Sequence, residues 1–274
     1  MMRVSIGIGI IAATLLAGPV GSEEAPGIRV VYVPDGVPFS PDAQEWQAAL
    51  VHEVSLSPQI ILPPNGGGSV QSVTVRALHD THYLALRLEW ADATANQEVG
   101  VNRFRDAIAV GFPTPQSERL PSPFMGDAEA PINIWQWTAD FDANARGYGG
   151  FADNYPHTEG VSYFPQDYEV TREVRAWRGT EPVIELVASG WGTLERKGTQ
   201  NILGVSMYRD GHWYVVLRRK LATGNPEDTL FRPGETSQII IAVWDGENEE
   251  VNGKKSITMM WTPLILEATT VAER

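Results

Sequence analysis

A chain of 274 residues, 43% hydrophobic and 20% charged, can bury a substantial core and is not a disordered polymer. Its formal charge of −13 argues against nucleic acid or anionic lipid as a partner, and fits either solubility or the steering of a basic partner. The absence of cysteine excludes a thiolate nucleophile, iron–sulfur ligation by this chain, a cysteine zinc site and covalent haem attachment through C-x-x-C-H.

The chain starts like an export signal. Met1 to Arg3 give a short basic start, VSIGIGIIAATLLAG an apolar run, and Val20 and Ser22 suit the −3 and −1 positions of a cleavage site. This predicts a signal peptide over 1–22, with the mature chain beginning near Glu23 as a single domain over 23–274. A membrane anchor is the rival, but the run is shorter than the ~20 residues a span needs. An exported chain without disulfides fits a bacterial periplasm.

Beyond the leader, 26 glycines and 19 prolines imply many turns and short strands. DAQEWQAAL (42–50) carries a weak helical signal with Asp42 as its cap. Strands are expected at 70–77, 83–90, 106–112, 132–137, 182–189, 213–221, 236–244 and 255–261. The clearest is YLALRLEW, with Leu84, Leu86, Leu88 and Trp90 on one face and Ala85, Arg87 and Glu89 on the other. The fold class predicted is all-β, an antiparallel β-sandwich with long loops and a minor helix. The Gly/Asp/Tyr-rich segment 138–175 is a long excursion of the kind that binds partners.

No nucleophile elbow, phosphate loop or dinucleotide fingerprint is present, so the chain does not look like an enzyme. His79 and His82 flank a turn and lack a third ligand in sequence. Trp135 and Trp137 share a strand face, which is either sandwich core or the wall of an apolar pocket. In KSITMMW a period of two groups Lys255, Ile257, Met259 and Trp261. A lysine there either reaches water from a strand end or is desolvated with a free lone pair. Lys220 ends another strand and is a second such candidate.

Four segments then carry a resemblance: FRDAIAVGFP (104–113), PFMGD leading into PINIWQW (123–137), GHWYVVLRRKL (211–221) and IIIAVWDGENEEVNGKKSITMMW (239–261). In order and spacing, over roughly 70–265, they resemble the haem b-binding gamma subunits of periplasmic molybdoenzymes of the dimethyl sulfoxide reductase family. Those serve ethylbenzene dehydrogenase, selenate reductase, chlorate reductase and dimethyl sulfide dehydrogenase.

The resemblance implies a β-sandwich of the type shared by carbohydrate-binding modules and extracellular cytochrome domains. It holds one non-covalent haem b between a methionine and a lysine. Carried onto this chain, the ligands are Met125 and Lys255, with Met207 as the weaker methionine and Lys254 or Lys220 as the other lysines. Trp135 and Trp137 would be cofactor-binding, and Arg103, Arg105, Arg218 or Arg219 would serve the propionates. The implied role is non-catalytic electron transfer between the iron–sulfur beta subunit of a heterotrimer, which also has a molybdopterin alpha subunit, and a soluble c-type cytochrome. Rival readings are a haem-free carbohydrate-binding module on the same sandwich, and a structural subunit that has lost its cofactor.

Overall fold

Alternation of large inward and small or polar outward residues builds the sheets of this protein. The computed structural model describes residues 27–145 and 182–269. The expected signal peptide and most of the 138–175 excursion lie outside them. In chain order the first strands are β1 (Ile28–Tyr32), β2 (His52–Ser55), β3 (Ser57–Pro58), β4 (Ser72–His79), β5 (Tyr83–Ala91), β6 (Ala107–Pro113) and β7 (Ile132–Thr138). Helix α1 (Ala139–Ala145) follows, then β8 (Val183–Ala188), β9 (Glu195–Arg196), β10 (Ile202–Arg209) and β11 (His212–Lys220). The last are β12 (Thr236–Trp244), β13 (Ser256–Ile257) and β14 (Thr262–Leu266).

Hydrogen-bonded neighbours run in the order β10-β11-β5-β4-β1-β14-β12-β6-β7-β8-β9. Strand β12 joins the two layers. Its first half pairs with β14 and its second half, from Ile240, pairs with β6. Most pairings are antiparallel, whereas β1 lies parallel to both β4 and β14.

The inward residues of both layers meet in one core. Leu84, Leu86, Leu88 and Trp90 of β5 face Ile108, Val110 and Phe112 of β6, Trp135 and Trp137 of β7, and Ile239, Ile241 and Val243 of β12. Trp137 packs edge-on to Trp213, with ring centroids 4.8 Å apart. Arg219 is also buried here, its guanidinium donating to Asn133 at 2.8 Å and pairing with Glu185 at 3.2 Å, so the charge is satisfied where burial alone would be costly.

Two local expectations are corrected. The 42–50 segment forms only a 3₁₀ turn, Gln44–Ala48, and Asp42 is not its cap, because its carboxylate accepts the Ser40 hydroxyl instead. The predicted strand 255–261 pairs only at Ser256–Ile257. Beyond it the Thr258 amide donates to the Ile241 carbonyl and the Thr258 hydroxyl accepts the Ile241 amide, each at 3.0 Å, so a side chain replaces the ladder. Among the described residues no helix is long and apolar enough to cross a membrane.

Candidate functional site

The outer face of the β12-β6-β7-β8 layer is the floor of an apolar cavity of about 650 Å³, within the range of small-molecule and cofactor sites. The alternation that sends Ile108, Val110 and Phe112 inward leaves Ala107, Ala109 and Gly111 outward. Those three residues occupy almost no space, and their smallness opens the cavity. Ile132, Ile134 and Gln136 of β7 and Ile240, Ala242 and Trp244 of β12 complete the floor. Loops that include Phe104, Phe124, Trp191 and Val251 form the walls.

Met125 and Lys255 both line this cavity. Met125 sits in the β6–β7 loop with φ of +75°, a left-handed backbone that non-glycine residues rarely adopt. The loop imposes it. Gly126 donates to the Ser122 carbonyl at 3.0 Å, Gly190 donates to the Met125 carbonyl at 2.8 Å, and Arg119 pairs with Asp127 at 2.6 Å. The Trp261 indole ties the loop down by donating to the Pro121 carbonyl at 2.7 Å. Strain held in place by its surroundings clusters at ligand sites.

Lys255 is clamped through its backbone. Its amide donates to the Gly66 carbonyl at 3.1 Å, and its carbonyl accepts the Gln59 amide at 3.0 Å. This needs the glycine run 66–68. A Cβ on Gly67 would lie 2.3 Å from the Lys255 nitrogen, and the φ of Gly67 is +90°. The Lys255 ammonium lies 4.9 Å from the centre of the Trp244 ring. Burial pushes its pKa down to about 8, and among the described residues no carboxylate is paired with it.

The other candidates fall elsewhere. Trp135 and Trp137 are fully buried in the core between the layers, on the strand face opposite the cavity. They are not pocket wall, because β7 turns Ile132, Ile134 and Gln136 to that side. Lys220 is exposed at the end of β11, Lys254 lies outside the lining, and Met207 is on β10 in the other layer. Of the arginines, Arg103 and Arg105 line the cavity, and Arg105 pairs with Asp140 at 2.6 Å. Arg218 instead stacks on Phe39, and Arg219 belongs to the core. His79 is buried with its ring nitrogens on the carbonyls of Asp80 and Glu267, at 2.9 and 2.8 Å, so the HDTH turn is not a metal pair.

Sequence reasoning missed the small-residue floor and Trp244. The signal was present in AIAVGF, where every outward residue is alanine or glycine.

The fold and cavity define a β-sandwich protein with an apolar cavity on the outer face of one layer. The chain belongs to the ethylbenzene dehydrogenase family, which it matches over residues 43–256. It is 28% identical to chlorate reductase subunit gamma of Ideonella dechloratans, covering 94% of each chain. It is 26% identical to dimethylsulfide dehydrogenase subunit gamma of Rhodovulum sulfidophilum, over 85% of this chain and 79% of that one. A protein of Haloferax mediterranei named as a respiratory nitrate reductase heme subunit is 26% identical, over 81% of this chain and 66% of that one. These matches bear out the resemblance to molybdoenzyme gamma subunits read from the sequence. Among solved structures, a family 9 carbohydrate-binding module from Caldicellulosiruptor kristjanssonii aligns over 90% of this chain and 99% of that one, with 9% identity and a TM-score of 0.46.

Proposed function

We propose that this chain is a non-catalytic electron-transfer subunit holding one non-covalent haem b in the cavity, where Met125 and Lys255 would hold its iron. The observation that carries this reading is that a thioether and a desolvated amine, far apart in sequence, line one apolar cavity of cofactor size. The donor set fits the group, since a chain without cysteine must hold a haem by side-chain ligation and burial alone.

A haem held by these two residues would supply reversible one-electron transfer at iron, and a thioether ligand would favour the reduced form. The chain's own residues do the rest. The β6–β7 loop fixes where the Met125 sulfur can reach. Desolvation lowers the Lys255 pKa to about 8, which reduces the cost of releasing the proton that occupies its lone pair. The alanine, glycine and isoleucine floor excludes water. Arg103 and Arg105 supply guanidinium groups at the wall for propionates.

In this reading the subunit works in the periplasm, exported by its N-terminal segment. It passes electrons between the iron–sulfur beta subunit of a heterotrimer with a molybdopterin alpha subunit and a soluble c-type cytochrome. The charge of −13 supports steering of a basic cytochrome. The carbohydrate-binding rival needs a platform of exposed rings, and among the described residues Trp191 is the one exposed tryptophan.

The test is the visible spectrum of the purified protein and its pyridine haemochrome, with acid–acetone extraction. Extractable haem b with a low-spin spectrum that Met125→Ala and Lys255→Ala each abolish is the expected result. A colourless protein from haem-sufficient cells would sink the cofactor. An unchanged spectrum in either variant would sink that ligand.

A further inference from the structure

Three aspartates outside the cavity meet where strands of the two layers end. Asp92 follows β5, Asp106 precedes β6 and Asp245 follows β12; all three are buried, with one carboxylate oxygen from each within 4.8 Å of the others. The Asp106 oxygens accept amides from Gly246 at 2.8 Å and Asn96 at 2.7 Å, and the Trp213 indole at 2.9 Å. Those of Asp245 accept from the Asn248 amide at 3.2 Å and its side chain at 2.7 Å. Asp92 is 5% exposed; its Oδ1 accepts the Thr94 amide at 3.0 Å, whereas Oδ2 is buried and accepts nothing. The neighbouring Trp90 indole eases the Asp92 charge without reaching hydrogen-bond geometry. Among the described residues no lysine or arginine pairs with any of the three.

Such a cluster lacks a counter-charge. Burial, together with the Asp245 charge, pushes Asp92 up to about 6, and burial with the Asp92 charge pushes Asp106 up to about 7. Buried carboxylates are ordinarily paired or coordinate a metal.

We propose that Asp92, Asp106 and Asp245 form a calcium site that fastens the β5–β6 loop to the β12–β13 loop. The donors are all oxygen, which selects a hard cation, and calcium tolerates an irregular ligand set where magnesium demands a near-ideal octahedron. The vacant Asp92 Oδ2 supplies a ligand atom with no competing partner. The loops already approach closely, since a Cβ on Gly246 would lie 2.2 Å from the Phe104 carbonyl oxygen. They also deliver Phe104, Arg105 and Lys255 to the cavity. The cation thus sets the shape of that wall, whatever the cavity holds.

The experiment is thermal unfolding of the full chain after EDTA stripping and dialysis, with calcium or magnesium added back, alongside elemental analysis of protein purified without chelator. A midpoint raised several degrees by calcium and less by magnesium, with near-stoichiometric calcium retained, is expected. Asp92→Asn should fold, because it removes one of three mutually repelling charges, and should lose the calcium shift. Asp245→Asn gives a second reading should that variant fail to fold. A wild-type midpoint indifferent to calcium, or a full calcium shift in both variants, overturns the site.

Discussion

The Lys255 ammonium lies over the Trp244 ring, 4.9 Å from its centre, and among the described residues no carboxylate is paired with it. Because burial alone lowers its pKa to about 8, the amine is much closer to its neutral, ligating form than a surface lysine. Haem binding through this amine must release its remaining proton. The affinity of the apo-protein for haemin should therefore rise with pH up to about 8 and level off above it. Titrations on either side of that pH check this, and a pH-independent affinity would mean that Lys255 does not ligate.

The same lysine affects the apo-protein's stability. Its pKa is about 8 folded against 10.5 unfolded, so within that window the unfolded chain binds more protons. Lys255 should then make stability rise with pH from about 8 to 10.5, the burial penalty being present below the window and gone above it. Denaturant unfolding of wild type and Lys255→Met across the window isolates the effect: the variant should lack that component of the slope. Identical slopes would show an amine that is solvated after all.

At Met125 the backbone and the sulfur make separable demands. Glycine accepts a φ of +75° freely, and alanine does not. Met125→Gly should therefore be more stable than Met125→Ala by about 1 kcal/mol in the apo state. Both should lose the low-spin spectrum. Equal stabilities would indicate that the loop relaxes out of the left-handed region.

The cavity floor and the sandwich core can be tested against each other. Ala109→Leu puts three carbons into open cavity, so it should block haem binding while moving the unfolding midpoint little. Trp135→Ala empties a fully buried site and should cost about 3–5 kcal/mol, yet leave the spectrum of the folded fraction unchanged. The reverse pattern would put the cofactor on the other face of β7.

Gly67→Ala should destabilise by more than ~1 kcal/mol, since it combines a positive φ with a Cβ collision against the Lys255 backbone. It should also weaken haem retention, measured by transfer of haem to an apo-globin acceptor. A variant as stable and as retentive as wild type would show that the glycine run is dispensable.

Much of the β architecture was legible because its strands alternate. The segment around Leu84–Trp90 declared both its extent and its two faces, and 236–244 declared its extent. Alternation does not say which face meets the other layer, so Trp135 and Trp137 could be placed on one face while core and pocket wall both stayed open, and the fold puts them in the core. The break after Ile257 was hidden because Thr258 satisfies the Ile241 backbone through a side-chain hydroxyl, which no periodicity reports. β10 went largely unread because its burial is mixed, with Leu203 exposed and Gly204 against Val183. Lys255 was one of two lysine candidates from strand position, the family resemblance put it forward together with Met125, and only the folded chain brings them to one cavity.

Strands β6 and β12 each divide their alternate positions between two compartments, with Ala107, Ala109 and Gly111 and then Ala242 and Trp244 bounding the cavity while Ile108, Val110 and Val243 belong to the core. Substitutions at the cavity positions can therefore reshape that compartment while the core behind it stays insulated. One sandwich can in this way be fitted to differently shaped occupants without being refolded.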